Sequence, residues 1–281
     1  MTHSDERGAC AFIFQKREIG IYTNLSFYVT LWLENEPSCG WRLSSRQDQS
    51  EEVFPITRRY NSEEARQSIL SASVRLILEK GYLHTTVSEI LKEAHVSAST
   101  FQNLFHTKDG VLMELVEAMF HNQFSAAGSV ARADLPPMYL YAAETAIQLA
   151  IAEQNENLRE VYLEAYSLPA TSEYIHQEMA KRLLQIFAPY LPGDSESDFY
   201  EREIGSAGIM RAYMARPCDL YFTLEKKIGR FLSMSLAVYR VPEEEQEAVL
   251  SFIQGLNVQE LSLQVMQELF RSLAMRFHFT L

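Results

Sequence analysis

Cysteine is scarce in this chain of 281 residues: Cys10, Cys39 and Cys218 are odd in number and far apart. That excludes a disulfide scaffold and a cysteine-built zinc site, and it fits a reducing cytoplasm, the expected location. Basic charge is also in short supply. With 25 Lys and Arg against 37 Asp and Glu, the formal net charge is −12. A generally basic nucleic-acid coat is excluded, whereas a local DNA-reading surface is not. Long apolar runs are missing too. The longest, Ile19–Leu33, holds 15 residues and is interrupted by Thr23, Asn24, Ser26 and Thr30. A spanning helix needs about 20 apolar residues, so no membrane partner is expected. Lys16 and Arg17 precede this run, but Glu34-Asn35-Glu36-Pro37 follows it with no small-residue cleavage site, which argues against export.

Catalytic signatures are absent as well. The chain has no G-x-x-x-x-G-K phosphate loop, no G-x-G-x-x-G, no G-x-S-x-G elbow and no H-E-x-x-H. Gly205-Ser206-Ala207-Gly208 reads as close helix packing. His176-Gln177-Glu178 lacks the cysteine pair of zinc deaminases. His84, His95, His106 and His121 do not have metal spacing. Neither an enzyme nor a cofactor nor a metal is expected.

What is present is ordinary globular material: 47% apolar and 22% charged residues. That excludes disorder as the dominant state. At roughly 150 residues per domain, the length suggests two domains. Charge divides the chain into three. Residues 1–57 carry 5 basic and 8 acidic side chains, residues 58–124 carry 7 and 8, and residues 125–281 carry 13 and 21. In the first segment Tyr22, Phe27, Tyr28, Trp32 and Trp41 give some strand propensity, but no amphipathic period is sustained. Residues 44–52 read as linker, and no Met stands between Met1 and Met113. The segment reads as a poorly ordered or accessory extension, or as a translated leader from a misplaced start.

The middle segment is strongly patterned. A helix is expected from about Ser62 to Lys80, with Ile69, Ala72, Leu76 and Ile77 on one face and Gly81 closing it. Thr86-Val87-Ser88-Glu89 spells a capping box before a short helix whose stripe is Val87, Ile90, Leu91 and Ala94. His95-Val96 makes a turn, and Ser97 is the N-cap of a third helix. There Phe101, Leu104 and Phe105 share one face, and Ser99, Gln102, Asn103 and His106 point away from it. Thr107-Lys108-Asp109 starts a fourth helix to about Gln123.

Two short helices joined by a tight turn, the second with an apolar back and a small polar front, form a helix-turn-helix layout over residues 86–105. Gln102 and Asn103 can bond adenine in a major groove, and Ser99 and Thr100 can bond several base edges. Backbone N–H groups at the helix starts, Thr86 and Ser97–Ala98, suit phosphates. No acidic side chain lies between Ala94 and Lys108. Lys108, Arg58 and Arg59 are the expected backbone contacts, and the near-neutral charge of the segment implies a modest salt slope.

The run ARQSILSASVRLILEKGYLHTTVSEILKEAHVSASTFQNLFHTKDGVL resembles the DNA-binding domain of TetR/AcrR-type transcriptional regulators, a likeness that spans residues 62–122. The resemblance implies a homodimer on a palindromic double-stranded DNA operator and a helical C-terminal domain that binds a small effector. It also implies that Thr86, Ser97–Gln102 and Lys108 lie at the DNA. Three positions depart from the usual pattern: His95 stands where the family has Gly, Gln102 where it has a backbone-contacting Tyr, and Leu104 where it has a second aromatic.

Beyond Ala126 the chain reads as helical and well punctuated. Helices are expected at about 137–153, 155–167, 172–190, 196–215, 219–239, 243–254 and 257–277. Pro242 before Glu243-Glu244-Glu245 is a favourable helix start. Tyr139, Tyr141, Tyr162, Tyr166, Phe187, Tyr190, Met210, Tyr213, Met214, Phe222, Phe231 and Met234 supply either a plastic effector pocket or ordinary core. Nothing in their spacing assigns pocket residues. The helices 219–239 and 257–277 are dimer candidates by the resemblance. The stripe Val258, Leu261, Val265, Leu269 and Leu273 equally fits an internal core. The expected architecture is all-α: an N-terminal three-helix DNA-binding domain (58–124) and a C-terminal helical bundle for effector and dimerisation (125–281). A protein–protein adaptor that keeps the fold without specific DNA binding is the alternative.

Overall fold

The structure is a computed structural model that describes residues 56–131 and 135–277, with side chains over 62–120 and 135–273. Residues 1–55, including the 15-residue apolar run and most of the expected N-terminal extension, lie outside the described residues. The described residues are helical with no strand. In order the helices are α1 (Ile56–Lys80), α2 (Val87–Ala94), α3 (Ala98–Leu104), α4 (Lys108–Ala131), α5 (Pro137–Gln154), α6 (Glu156–Ala165), α7 (Pro169–Phe187), α8 (Glu196–Met214), α9 (Leu224–Val238), α10 (Glu243–Gln254) and α11 (Val258–Phe277). Among the described residues no helix is long and apolar enough to cross a membrane.

The first helices are set by their ends. Gly81 closes α1 at φ 87°, and its amide returns to Ile77 O at 2.9 Å. Glycine is favoured there by its backbone, and a side chain would also have to displace a carboxylate. The left-handed backbone disfavours a side chain, and a Cβ would stand 2.1 Å from the Glu160 carboxylate of α6. The capping box at Thr86 is formed in both directions, Glu89 N to Thr86 Oγ1 at 3.3 Å and Thr86 N to Glu89 Oε2 at 3.0 Å. His95 takes the left-handed turn at φ 55°, ψ 38°. Its amide and that of Val96 both bond Leu91 O, so the last turn of α2 is closed without glycine. Ser97 Oγ accepts Thr100 N at 3.1 Å, and Thr107 Oγ1 accepts Gly110 N at 3.1 Å.

Among the first four helices two expected bounds differ. α1 begins at Ile56 rather than Ser62, and α4 runs to Ala131 rather than Gln123, so it passes through the expected domain boundary at 124. Polar residues at 60–64 and a small-residue run after Gln123 gave no stop signal, and a helix continues until something ends it.

The bundle is built around α5. From Tyr141 to Ala152 every residue of α5 is buried, the mark of a helix surrounded on all sides. α4, α6, α8, α9, α10 and α11 all pack against it. On α11 the stripe Val265, Leu269 and Leu273 is buried within this chain. The structure thus decides for internal core at a stripe that fitted a dimer seam equally well. Ion pairs tie elements together, two of them extensively hydrogen-bonded. Arg66 of α1 grips Glu114 of α4 through both carboxylate oxygens (2.7 and 2.9 Å). Lys227 of α9, wholly buried, bonds Glu153 Oε1 at 2.6 Å and Arg216 O at 2.5 Å, while Cys218 N donates to Glu153 Oε2 at 2.9 Å. Lys227 is therefore a buried charge that is paired and hydrogen-bonded, the condition under which such burial is tolerated.

Candidate nucleic-acid interface and effector cavity

α3 stands on an apolar foundation. Phe101 and Phe105 are 3% and 5% exposed, 5.9 Å apart between ring centres, and they pack with Ile69, Ile90 and Leu112. Burying a side chain of this size contributes about 1.5–3 kcal/mol, enough to fix which face of a seven-residue helix points outward. That outer face carries Ala98, Ser99, Gln102 and Asn103, all exposed. Ser97 is exposed and shares its hydroxyl with Ser99 Oγ (2.9 Å) and Thr100 Oγ1 (2.8 Å). Thr100 is half-buried. His106 is exposed at the end of α3 with φ 60°, a left-handed residue that turns the chain into α4. There Gly110 presses on α3: a Cβ would meet Phe105 O at 2.2 Å. Thr86 is exposed at the start of α2, with its hydroxyl engaged by Glu89 (2.6 Å).

One expected contact is placed differently from a free basic rim. Lys108 is turned back into the head. Its Nζ donates to Tyr82 O at 2.9 Å and Thr85 O at 3.0 Å and lies 4.1 Å from the centre of the Tyr82 ring. Tyr82 in turn donates to Asp109 at 2.6 Å; burial and that carboxylate push its phenol well above the usual range. Lys108 thus holds the loop that presents Thr86. Arg58 and Arg59 fall in the first turn of α1, and their side chains are outside the described residues. Three other cations of the head are matched: Arg66 with Glu114, Arg75 with Glu93 and Lys80 with Glu89. Hydrogen bonds from Lys80 and Thr86 hold the Glu89 carboxyl at about 2.

The head meets the bundle at α6. Glu160 Oε1 accepts Leu83 N at 2.8 Å, and Asn157 Nδ2 donates to Leu78 O at 2.8 Å. One and two residues beyond Glu160 the same helix lines a cavity with Val161 and Tyr162. The cavity lies among α4 to α9, and the space open to the centre of a water-sized sphere is about 60 Å³, several times the roughly 10–15 Å³ that one water needs. Five of the twelve aromatic and methionine residues singled out in the sequence reach it: Tyr141, Tyr162, Tyr166, Met210 and Phe231. Phe187 and Met214 are core, and Met234 is exposed. Sequence reasoning missed both apolar lining residues, such as Met119, Phe120 and Met179, and the polar ones, Glu144, Thr145, Gln148, Glu203 and Ser206. The signal was an acidic residue in the middle of a largely apolar helix, as at Glu144.

Residues 69–115 match the family model described as bacterial regulatory proteins, tetR family. Two curated relatives from Bacillus subtilis (strain 168) are both described as uncharacterized HTH-type transcriptional regulators. YuxN is 24% identical over 122 residues, 43% of this chain and 41% of YuxN. YvkB is 40% identical over 62 residues, 22% of this chain and 31% of YvkB. The chain therefore matches about two fifths of one relative's length and a third of the other's. Among solved structures, a gamma-butyrolactone receptor (ArpA-like protein) aligns over 74% of this chain and 99% of its own, with TM-score 0.39 and 16% identity. RolR in complex with resorcinol aligns over 74% and 96%, with TM-score 0.44 and 16% identity.

Proposed function

From a chain whose residues 69–115 carry the N-terminal segment of the tetR family of bacterial regulatory proteins, we propose a sequence-specific transcriptional regulator that represses as a homodimer on a palindromic operator and responds to a small molecule. The observation that carries this reading is the outer face of α3: exposed Ser99, Gln102 and Asn103 on a rigid apolar base, with no acidic side chain from His95 to Thr107. Such a face enters a major groove without repelling phosphates. Gln102 and Asn103 read base edges there, each good bidentate pair discriminating by about 1–3 kcal/mol. Backbone near Thr86 and Ser97–Ala98, with Thr100, His106, Arg58 and Arg59, positions the duplex. Lys108 keeps one of its three ammonium N–H bonds for a phosphate while the other two hold the loop carbonyls of Tyr82 and Thr85.

The DNA-binding domain takes in 58–124 and the effector and dimer domain 125–281, with α4 continuous across the boundary. For the dimer, α9 together with α8 is favoured over α11, because α11 spends its apolar stripe on its own core. Ile204 and Met234 stand 47% and 42% exposed on α8 and α9, against Leu263 at 46% on α11. Effector entry acts on α6. A displacement of Tyr162 is transmitted through Glu160 and Asn157 to the end of α1 and the loop after it, Leu78–Leu83, which resets the spacing of the two reading heads. This requires an effector with different affinity for the two states.

The test is anisotropy of the purified chain on its own upstream DNA against scrambled DNA over a salt series. Tight binding confined to the native sequence supports the regulator. Equal, salt-sensitive binding to both DNAs leaves phosphate contacts alone, and no binding by a folded dimer turns the reading to the adaptor.

A further inference from the structure

Glu203 is out of keeping with its surroundings. It projects from α8 into the cavity, its residue is 4% exposed, and its hydrogen bond among the described residues is a long one, 3.4 Å from the Tyr239 hydroxyl. The Tyr239 ring is itself stacked between Phe187 (4.5 Å, 5°) and Phe199 (6.1 Å, 9°), so it cannot easily swing closer. The groups that face Glu203 are known from each packed element. α5 presents Tyr141 and Glu144, α6 and its cap present Tyr162 and Tyr166, and α9 presents Phe231, Ser235 and Tyr239. α7 offers Ile175 and Met179 to the cavity, and its half-buried Arg182 acts on Glu144. The charge acting directly on Glu203 is that of Glu144, of like sign.

We propose that this cavity binds a small organic cation, a quaternary or tertiary ammonium, with its charge against Glu203 and its apolar body against the Tyr141, Tyr166 and Phe231 rings. The inference rests on the regulator reading only in taking this cation as the effector. A carboxyl walled by aromatic rings is an unfavourable place for a lone anion and a favourable one for an ion pair with a weakly hydrated cation. The ring faces add attraction to the same charge. A neutral ligand would leave the acid with its long bond to Tyr239, and an anion would be repelled.

Proton balance follows. Burial and Glu144 hold the empty site's carboxyl protonated up to about 8. Near neutrality the acid and the cation become carboxylate and bound cation, and one proton goes to solvent. Cation affinity therefore rises by about tenfold per pH unit up to that value and then levels off.

The full chain is titrated calorimetrically with phenyltrimethylammonium, with its neutral carbon isostere tert-butylbenzene as control, in two buffers of different ionisation enthalpy and from about pH 6 to 9. The expected result is cation binding about tenfold or more tighter than the isostere near pH 9, with release of one proton near neutrality. Glu203→Gln loses that advantage and the pH dependence but still accepts tert-butylbenzene. Should that variant not fold, proton release by the unaltered chain decides. Equal affinity for the two probes, pH-independent binding, or no cation binding overturns the proposal. Cation binding that leaves operator affinity unchanged supports the cavity assignment and counts against the regulator reading. DNA release by neutral compounds alone does the reverse.

Discussion

At the scale of single residues, side chains in unusual backbone or unusual surroundings make the sharpest predictions. His95 sits at φ 55° where glycine is at ease. His95→Gly relieves a left-handed side chain and stabilises the head by about 0.5–1 kcal/mol, read as a higher denaturation midpoint. A lower midpoint would show that the imidazole contributes more than its backbone costs. Asn103→Ala lowers discrimination between operator and scrambled DNA by about 1–3 kcal/mol, with circular dichroism unchanged; undiminished discrimination removes Asn103 from base readout. Glu203 raises a third point, about stability rather than binding. Its carboxyl is raised in the folded chain, so the folded state holds more protons than the unfolded one between about 4.5 and 8. Its contribution is complete below the unfolded value and is lost as pH rises through 8. Denaturant titrations across that range show a stability decline that Glu203→Gln flattens.

Among the helices, much was legible because ends are local chemistry. Thr86 with Glu89, Ser97, Thr107 and Gly81 are capping and closing residues readable from the chain alone, and each makes its bond in the structure. Proline placed most bundle helices to within a few residues. It also explains a miss: α7 begins at Pro169 as first helical residue rather than at Ser172. α9 starts at Leu224 rather than Asp219, because the Asp219 carboxylate accepts the amides of Tyr221 and Phe222 and folds a turn first. What could not be read was direction across the bundle. Nothing in local spacing says that Lys227 is buried on Glu153 or that Lys108 bends back to Tyr82 and Thr85, because both depend on partners 74 and 26 residues away. The α2 cap gives a prediction of its own. The Glu89 carboxyl is depressed to about 2. The brace from Lys80 and Thr86 is thus present above the unfolded carboxylate value and fades as pH falls through about 4.5 toward 2. Amide chemical shifts of Thr86 and Glu89 in the folded chain should titrate at about 2 and stay unchanged at 4.5 and above.

For the whole molecule, head and cavity share α6, and that sharing is what a ligand would exploit. Glu160→Ala removes the acceptor for Leu83 N. It is expected to leave operator affinity within about 1 kcal/mol of the original while weakening the response to any effector, measured as the shift in DNA affinity between empty and saturated protein. An unaltered shift would place the coupling elsewhere, with α4 the next candidate. The arrangement around α5 reaches further. A helix buried from Tyr141 to Ala152 has no side suited to water, so it cannot survive as a separate unit once its neighbours leave, and they in turn lose their common floor. The interior of the bundle should therefore come apart all at once, and the backbone protons of α5 should be among the last to trade with heavy water. Those of the small head, resting on its own Phe101 and Ile90 core, have a shorter route to solvent and trade first.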